Sequence, residues 1–165
     1  MFGAPLRPRL RPRDQPLQLR DVRRLGEVGV EARIHHACPV GEWPEFISGS
    51  AADLFVCVPD WRHDASYMAG IMAKARLAID ALAEPRPRLV LFDTFDQTSS
   101  PYFATLPSLD LFVKSQLYRD PTDYQRSFAG GYMVSDWAQR ELGFDLQGWQ
   151  FGSRPDGAQI SKVVC

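Results

Sequence analysis

The sequence is poor in cysteine and has no pattern of metal ligands. It contains three cysteines, Cys38, Cys57 and Cys165, among 165 residues. An odd count without regular spacing argues against a disulfide framework. No CxxC pair is present, and the three histidines do not stand at zinc-ligand spacing from the cysteines. The sequence therefore predicts no metal site, and Cys57, which lies in an apolar run, is expected to be a small core residue.

The sequence also lacks an excess of either charge and lacks a long apolar run. Its 19 basic and 20 acidic residues leave a net charge of −1, which favours neither nucleic acid nor an anionic membrane as a partner. No run is long and apolar enough to span a bilayer. The first residues, "MFGAPLRPRLRPRDQPLQ", lack the apolar centre of a secretory signal. We therefore expect no transmembrane segment and a cytoplasmic location.

Several short motifs that mark well-defined chemistry are missing. The chain has no GxGxxG, no GxxxxGK[ST] and no HExxH. It has no GxSxG either, so Ser99 and Ser100 are poor candidates for a hydrolase nucleophile. The sequence therefore predicts no bound cofactor.

The composition that is present suits one globular domain after a short tail. Apolar residues make up 45% of the chain, which is enough for a core. Residues 1–16 alternate four prolines with four arginines, a pattern typical of a solvated tail. A transit peptide or an anion-binding arm is the alternative for that segment. Residues 17–165 are expected to form a single domain.

Apolar runs alternate with a helical pattern through the middle of the chain. Three runs predict buried strands: "ADLFVCVPDW", "RLVLFD" and "LDLFVK". A helix between the first two is expected to begin at Asp64 or Ser66. Later segments predict a helix over "SDWAQRELG", with Ser135 as its cap and Gly143 as its stop, and a last strand in "ISKVVC". We predict an α/β fold with an open, mostly parallel, Rossmann-like sheet and helices on both faces.

The beginning of this predicted fold is incomplete. The segment "LQLRDVRRLGEVGVEARIHH" predicts a helix, a glycine turn and a strand, which is the second half of a β-α-β unit. No strand is expected before that helix. The sheet is therefore predicted to lack its N-terminal strand.

Polar and charged side chains follow three of the predicted strands. In an open parallel sheet, ligands bind beyond the carboxyl ends of the strands, so these side chains are candidates for one site. The glycines of "AGGY" permit close approach of the backbone to a ligand. The candidate residues are Asp60, Trp61, Asp93, Asp96, Gln97, Ser99, Lys114, Gly130 and Gly131.

Several of these candidates also have a purely structural alternative. Asp and Ser after a strand make turns and helix caps, and Ser100 before Pro101 suits a cap of this kind. Lys114 has three possible roles: it can hold a phosphate, pair with Asp93, or extend its stem to solvent. The density of polar groups from Asp93 to Ser100 exceeds what one cap needs, which favours a site.

Four segments resemble a known family: "LRDVRRLGEVGVEARI", "ADLFVCVPDW", "RLVLFDTFDQTSSPYF" and "LDLFVKSQLYRDPTDY". Together they span about residues 17–120, and they resemble the N-terminal Rossmann-like domain of bacterial GT-B type glycosyltransferases. The most distinctive parts are a strand ending in D-x-x-D-Q and a strand ending in lysine, followed by R-D before a tyrosine.

The resemblance implies the acceptor-side half of a two-domain enzyme that moves a sugar from a nucleotide-sugar to an acceptor hydroxyl. It implies Asp93 or Asp96 as the base and Lys114 as a stabiliser of phosphate charge. The donor-binding domain does not follow in this sequence, so a C-terminal domain or separate subunit is the expected partner, and the chain alone is expected to be inactive.

Three other interpretations remain open. The first is a noncatalytic α/β binding module for a nucleotide or a carbohydrate. The second is a degenerate fragment that folds poorly and associates through an unpaired sheet edge. The third is a phospho-receiver domain, which Asp93 and Lys114 fit only loosely because the paired acids after a first strand are missing.

Overall fold

A computed structural model describes residues 24–35, 38–60, 62–95, 97–146 and 152–165. The chain divides into two compact units, 1–38 and 39–165. The predicted tail over residues 1–16, its boundary with the domain and any strand before residue 24 lie outside the described residues. Those expectations stay predictions.

The described part of the first unit contains one helical turn, at residues 24–27. Gly29, with φ 81°, follows this turn, as the predicted glycine stop requires. Residues 30–35 form no strand, so the strand expected over "VEARIHH" is wrong for these residues. A strand needs a neighbour for its ladder hydrogen bonds, and an alternating pattern does not supply one.

The second unit contains the predicted strands and helices. Its described 3₁₀ segments are Val40–Glu42, Pro101–Ser108, Pro121–Gln125, Ala129–Gly131 and Gly157–Lys162. Its described α-helices are α1 (Trp43–Ser48), α2 (Ala65–Asp80) and α3 (Met133–Leu142). Its described strands are β1 (Leu54–Cys57), β2 (Arg88–Asp93), β3 (Leu111–Lys114) and β4 (Val163–Val164). None of the described helices combines the length and apolar character needed to cross a membrane.

Local capping chemistry sets the ends of several helices. Asp64 caps α2, where its Oδ1 accepts hydrogen bonds from the N–H groups of Ser66 at 2.8 Å and Tyr67 at 3.0 Å. The Ser100 Oγ accepts from the Tyr102 N–H at 3.1 Å and caps the segment Pro101–Ser108, as predicted.

The prediction for α3 is half right. Gly143, with φ 67°, ends the helix as expected. Ser135 is not its cap, because the helix begins two residues earlier, at Met133. The Ser135 hydroxyl instead lies 2.7 Å from the Tyr132 carbonyl oxygen, to which it donates.

The four described strands form one open sheet in the order β1-β2-β3-β4, and every neighbouring pair is parallel. The register pairs Cys57 with Leu91, Leu91 with Phe112 and Asp93 with Lys114. The α/β class and the open parallel sheet are therefore confirmed.

Helices cover one face of this sheet. On that face, Leu89, Leu91 and Phe112 are fully buried against side chains of α2 and of Pro101–Ser108. On the opposite face, Leu54, Val56 and Val58 remain 52%, 52% and 50% exposed. Val90 of β2 lies on the same opposite face and is only 8% exposed, so the expectation of helices on both faces stays a prediction.

The strand order explains why described helices pack on the face that carries Leu89 and Leu91. Each strand lies beside the strand that precedes it in the chain, so the connections all advance in the same direction. Right-handed crossovers that advance in one direction place their helices on the same face of the sheet. A second layer of helices requires a reversal of the order, which these four strands do not contain.

Candidate functional site

The carboxyl ends of β2 and β3 carry a buried ion pair. The Lys114 Nζ lies 2.8 Å from the Asp93 Oδ2, and both side chains are 0% exposed. The second carboxylate oxygen of Asp93, Oδ1, accepts from the Phe95 N–H at 3.0 Å. Of the alternatives for Lys114, pairing with Asp93 is therefore confirmed.

This pair lies in the interior because the register brings the two strand ends side by side. Residues at alternate positions of β2 share a face, so Asp93 follows Leu89 and Leu91 onto the covered side of the sheet. In this arrangement the Asp93 carboxylate does not contact solvent. The role of Asp93 as a base stays a prediction, and that role requires the pair to open.

Two buried tyrosines lie near the carboxyl edge of the sheet. The Tyr102 hydroxyl lies 2.9 Å from the Asp60 carbonyl oxygen and 3.0 Å from the His63 carbonyl oxygen. These contacts hold the loop after β1 in place. Burial raises the pKa of Tyr102 to about 12, and the negative charge of Asp93 adds to this shift. The hydroxyl is therefore a neutral hydrogen-bond donor over the ordinary pH range.

The second tyrosine, Tyr124, connects the loops that follow β2 and β3. Its hydroxyl donates to the Thr98 carbonyl oxygen at 2.9 Å and accepts from the Tyr118 N–H at 3.3 Å. Burial raises its pKa to about 12 as well. Because these contacts bridge both loops, Tyr124 holds the two strand ends in a fixed relation.

The remaining candidates at the strand ends differ in their surroundings. The Asp60 carboxylate binds the Arg62 side chain, whose hydrogen bonds lower the pKa of Asp60 to about 2. The Gln97 Oε1 is buried and has no hydrogen-bond partner in the described part of the chain. A buried amide oxygen of this kind needs water or a ligand donor. Trp61 and Asp96 lie outside the described residues, and their predicted roles are untested.

A pocket of about 310 Å³ lies beyond the carboxyl ends of β2 and β3. Ser99 enters it from the segment after β2, and Tyr118 from the segment after β3. The position is the one that the parallel sheet predicts for a ligand. The lining residues are Ser99, Tyr118, Tyr124, Arg126, Ser127, Phe128, Gly131, Gly152, Ser153 and Arg154.

Only part of the predicted site reaches this pocket. Ser99 and Gly131 line it, and Gly130 precedes Gly131 in a left-handed turn with φ 66° and 72° at the two glycines. The other described candidates lie outside the lining: Asp60, Asp93, Gln97 and Lys114.

One wall of the pocket depends on a buried glycine that sequence reasoning missed. A Cβ at Gly152 would lie 2.1 Å from the Ser99 Oγ and 3.0 Å from the Gly131 carbonyl oxygen. The next residue, Ser153, donates its N–H to the Ser100 carbonyl oxygen at 2.8 Å, which joins this late segment to the end of the β2 loop. Only a residue without a side chain permits this approach.

Sequence reasoning also missed the two arginines of the lining, Arg126 and Arg154. Both stand in short contexts with serine, "QRSF" and "GSRP", which combine a cation with small polar groups. That combination is a weak indication of an anion site. The two contexts lie far apart in the chain, and no local pattern indicates that they meet.

The described residues contain no cluster of three or more His, Cys, Asp or Glu side chains that can hold a metal ion. Comparison of the chain with protein-family models, with curated proteins and with solved structures gives no significant match. The candidate function therefore depends on the pocket and on the residues that line it.

Proposed function

We propose that residues 39–165 act as an α/β binding module for a small polar ligand, a nucleotide or a carbohydrate. The pocket of about 310 Å³ at the carboxyl edge of the sheet supports this proposal. Its lining includes the hydroxyls of Ser99 and Ser153, which donate within the protein and can accept from a ligand, and the exposed hydroxyl of Ser127, which can do both. Concave sites with a few convergent polar groups are the usual places for such ligands.

Ligand titration of the full chain tests this proposal. A nucleoside monophosphate, a nucleotide-sugar and a free monosaccharide are added in turn, and amide chemical shifts and thermal stability are measured. We expect at least one ligand to raise the melting temperature and to shift the amide signals of Ser99 and Gly131. Failure of all three to bind would contradict the proposal.

An exposed lining residue provides a variant that blocks the pocket without disturbing the core. Ser127→Phe places a large ring at the pocket wall, and we expect it to abolish the ligand response. Ser161→Phe is the matched control, because Ser161 is exposed and lies outside the lining. Unchanged binding in Ser127→Phe would show that the response arises elsewhere, and equal loss in both variants would show a general effect on the chain.

The second candidate is the acceptor-side half of a GT-B type glycosyltransferase. Ser99, Tyr118 and Tyr124 of the pocket all come from the two segments that resemble that family most distinctively. The sequential order of parallel strands is also compatible with one half of a Rossmann-like sheet. In this proposal Asp93 or Asp96 serves as the base, Lys114 stabilises phosphate charge, and a second domain or subunit holds the nucleotide-sugar.

The two candidates differ in what the chain does unaided. A binding module binds its ligand alone, whereas a transferase half releases nucleoside diphosphate from a nucleotide-sugar only when its second half is supplied. The completed enzyme with Asp96→Asn tests the base, and we expect its turnover to fall steeply. Unchanged turnover in that variant would remove Asp96 from the mechanism.

A further inference from the structure

Two arginines that are distant in sequence, Arg126 and Arg154, both line the pocket. Arg126 follows the segment Pro121–Gln125, and Arg154 comes from the C-terminal segment. The Arg154 Nη1 donates to the Gln125 carbonyl oxygen at 3.2 Å. Because Gln125 precedes Arg126 directly, this bond holds the Arg154 guanidinium beside the Arg126 backbone.

Contacts on two sides also orient Arg126. Its Nη1 lies 2.9 Å from the Asp123 Oδ1, and its Cζ lies 5.1 Å from the centre of the Phe128 ring. A guanidinium has five N–H donors, and the Asp123 contact uses the Nη1 end. The group is therefore held in place while it keeps donors that can face a ligand.

The charge around the pocket favours an anion. Among the described residues, the lining contains two arginines and no carboxylate. Asp123 neutralises the charge of Arg126, and the positive charge of Arg154 then remains at the pocket wall. Arginine binds phosphate oxygens through paired N–H donors, and such bonds to charged groups are stronger than neutral ones.

We infer that the ligand of this pocket is a phosphomonoester whose phosphate lies between Arg126 and Arg154. This inference rests on the proposed binding function and names the class of its ligand. The hydroxyl of the exposed Ser127 supplies a further donor to phosphate oxygens. A volume of about 310 Å³ suits a phosphate joined to a single ring, such as a sugar phosphate or a mononucleotide, better than a dinucleotide.

Calorimetric titration of the full chain with three probes tests the inference. The probes are glucose 1-phosphate, inorganic phosphate and glucose. We expect glucose 1-phosphate to bind, inorganic phosphate to bind more weakly and to compete with it, and glucose to bind at least about tenfold more weakly than its phosphate.

Single arginine variants locate the phosphate. Arg126→Gln and Arg154→Gln are each expected to weaken glucose 1-phosphate binding about tenfold or more. Arg140→Gln is the matched control, because Arg140 pairs with Asp136 on α3 and lies outside the lining. We expect its affinity to equal that of the unaltered chain.

The outcomes separate the inference from the broader proposal. Equal binding of glucose and its phosphate, or affinities unchanged by both lining variants, would overturn the phosphomonoester assignment while a small-ligand site survives. Absence of binding by both phosphates would overturn it as well. If neutral sugars and nucleotides also fail to bind, the proposed binding function is wrong together with the phosphomonoester assignment.

Discussion

Removal of one partner from the Asp93–Lys114 pair should destabilise the domain far more than removal of both. At 2.8 Å and an effective dielectric constant near 20, the Coulomb attraction is about 6 kcal/mol. Burying two ions costs several kcal/mol each, so the intact pair contributes little net stability. A single substitution leaves the other charge buried without its partner, which costs about 3–5 kcal/mol.

Three variants form the test: Asp93→Asn, Lys114→Met and the double variant. Asparagine keeps an oxygen for the Phe95 N–H, and methionine replaces the lysine stem in the core. We expect each single variant to lose about 3–5 kcal/mol of unfolding free energy. The double variant should lose less than half of the summed single losses, because neither charge then remains buried.

Urea unfolding followed by circular dichroism provides the measurement. Arg140→Met is the control, since the Arg140–Asp136 pair has the same 2.8 Å separation but its arginine is 63% exposed. It should cost less than about 1 kcal/mol. A single variant that does not fold while the double variant does supports the same conclusion, because domains have only about 5–15 kcal/mol in total. Single losses below about 1 kcal/mol, or losses that add in the double variant, would refute the reasoning.

Three further predictions follow from the fold. In urea unfolding, Leu89→Ala should lower the free energy of unfolding by about 2–5 kcal/mol. Leu54→Ala, at a half-exposed site, should lower it by about 1 kcal/mol or less. Equal losses would contradict the difference in burial between the two faces. Gly152→Ala should lower the melting temperature and weaken ligand binding, because its Cβ meets Ser99, whereas Gly70→Ala, which meets nothing within 4 Å, should not. The free energy of unfolding should fall as pH rises from 10 to 12, because tyrosine ionises near pH 10 in the unfolded chain and buried Tyr124 only near pH 12. The urea midpoint of Tyr124→Phe should therefore vary less with pH over this range. An unchanged slope in that variant would contradict the prediction.

The strands and the chemistry of their ends were predictable from the sequence. Short apolar runs bounded by proline and polar residues located β2 to the residue, and the 3.6-residue pattern after Asp64 located α2. The pairing of Asp93 with Lys114 was one of the stated alternatives, because parallel strands bring their carboxyl ends to one edge. These features depend on periodicity and capping, which act over a few residues.

The pocket and the covering of the sheet were not predictable in the same way. The pocket residues Arg126, Arg154 and Gly152 come from segments that no local pattern connects to Ser99. Ser135 has the chemistry of a cap, yet its hydroxyl donates to carbonyl oxygens inside the turn before α3. The pocket depends on contacts between distant segments, whereas the Ser135 contact follows from the helix beginning two residues earlier than predicted.

The sequence alone thus determined the α/β class, the strand segments and the polar groups at their ends, because local periodicity and side-chain chemistry encode them. The tertiary structure decided which face of the sheet is covered, and it decided that Arg126, Arg154 and Gly152 meet Ser99 in one pocket. The physical reason is that strand order and crossover direction set these contacts, and neither leaves a trace in the pattern of neighbouring residues.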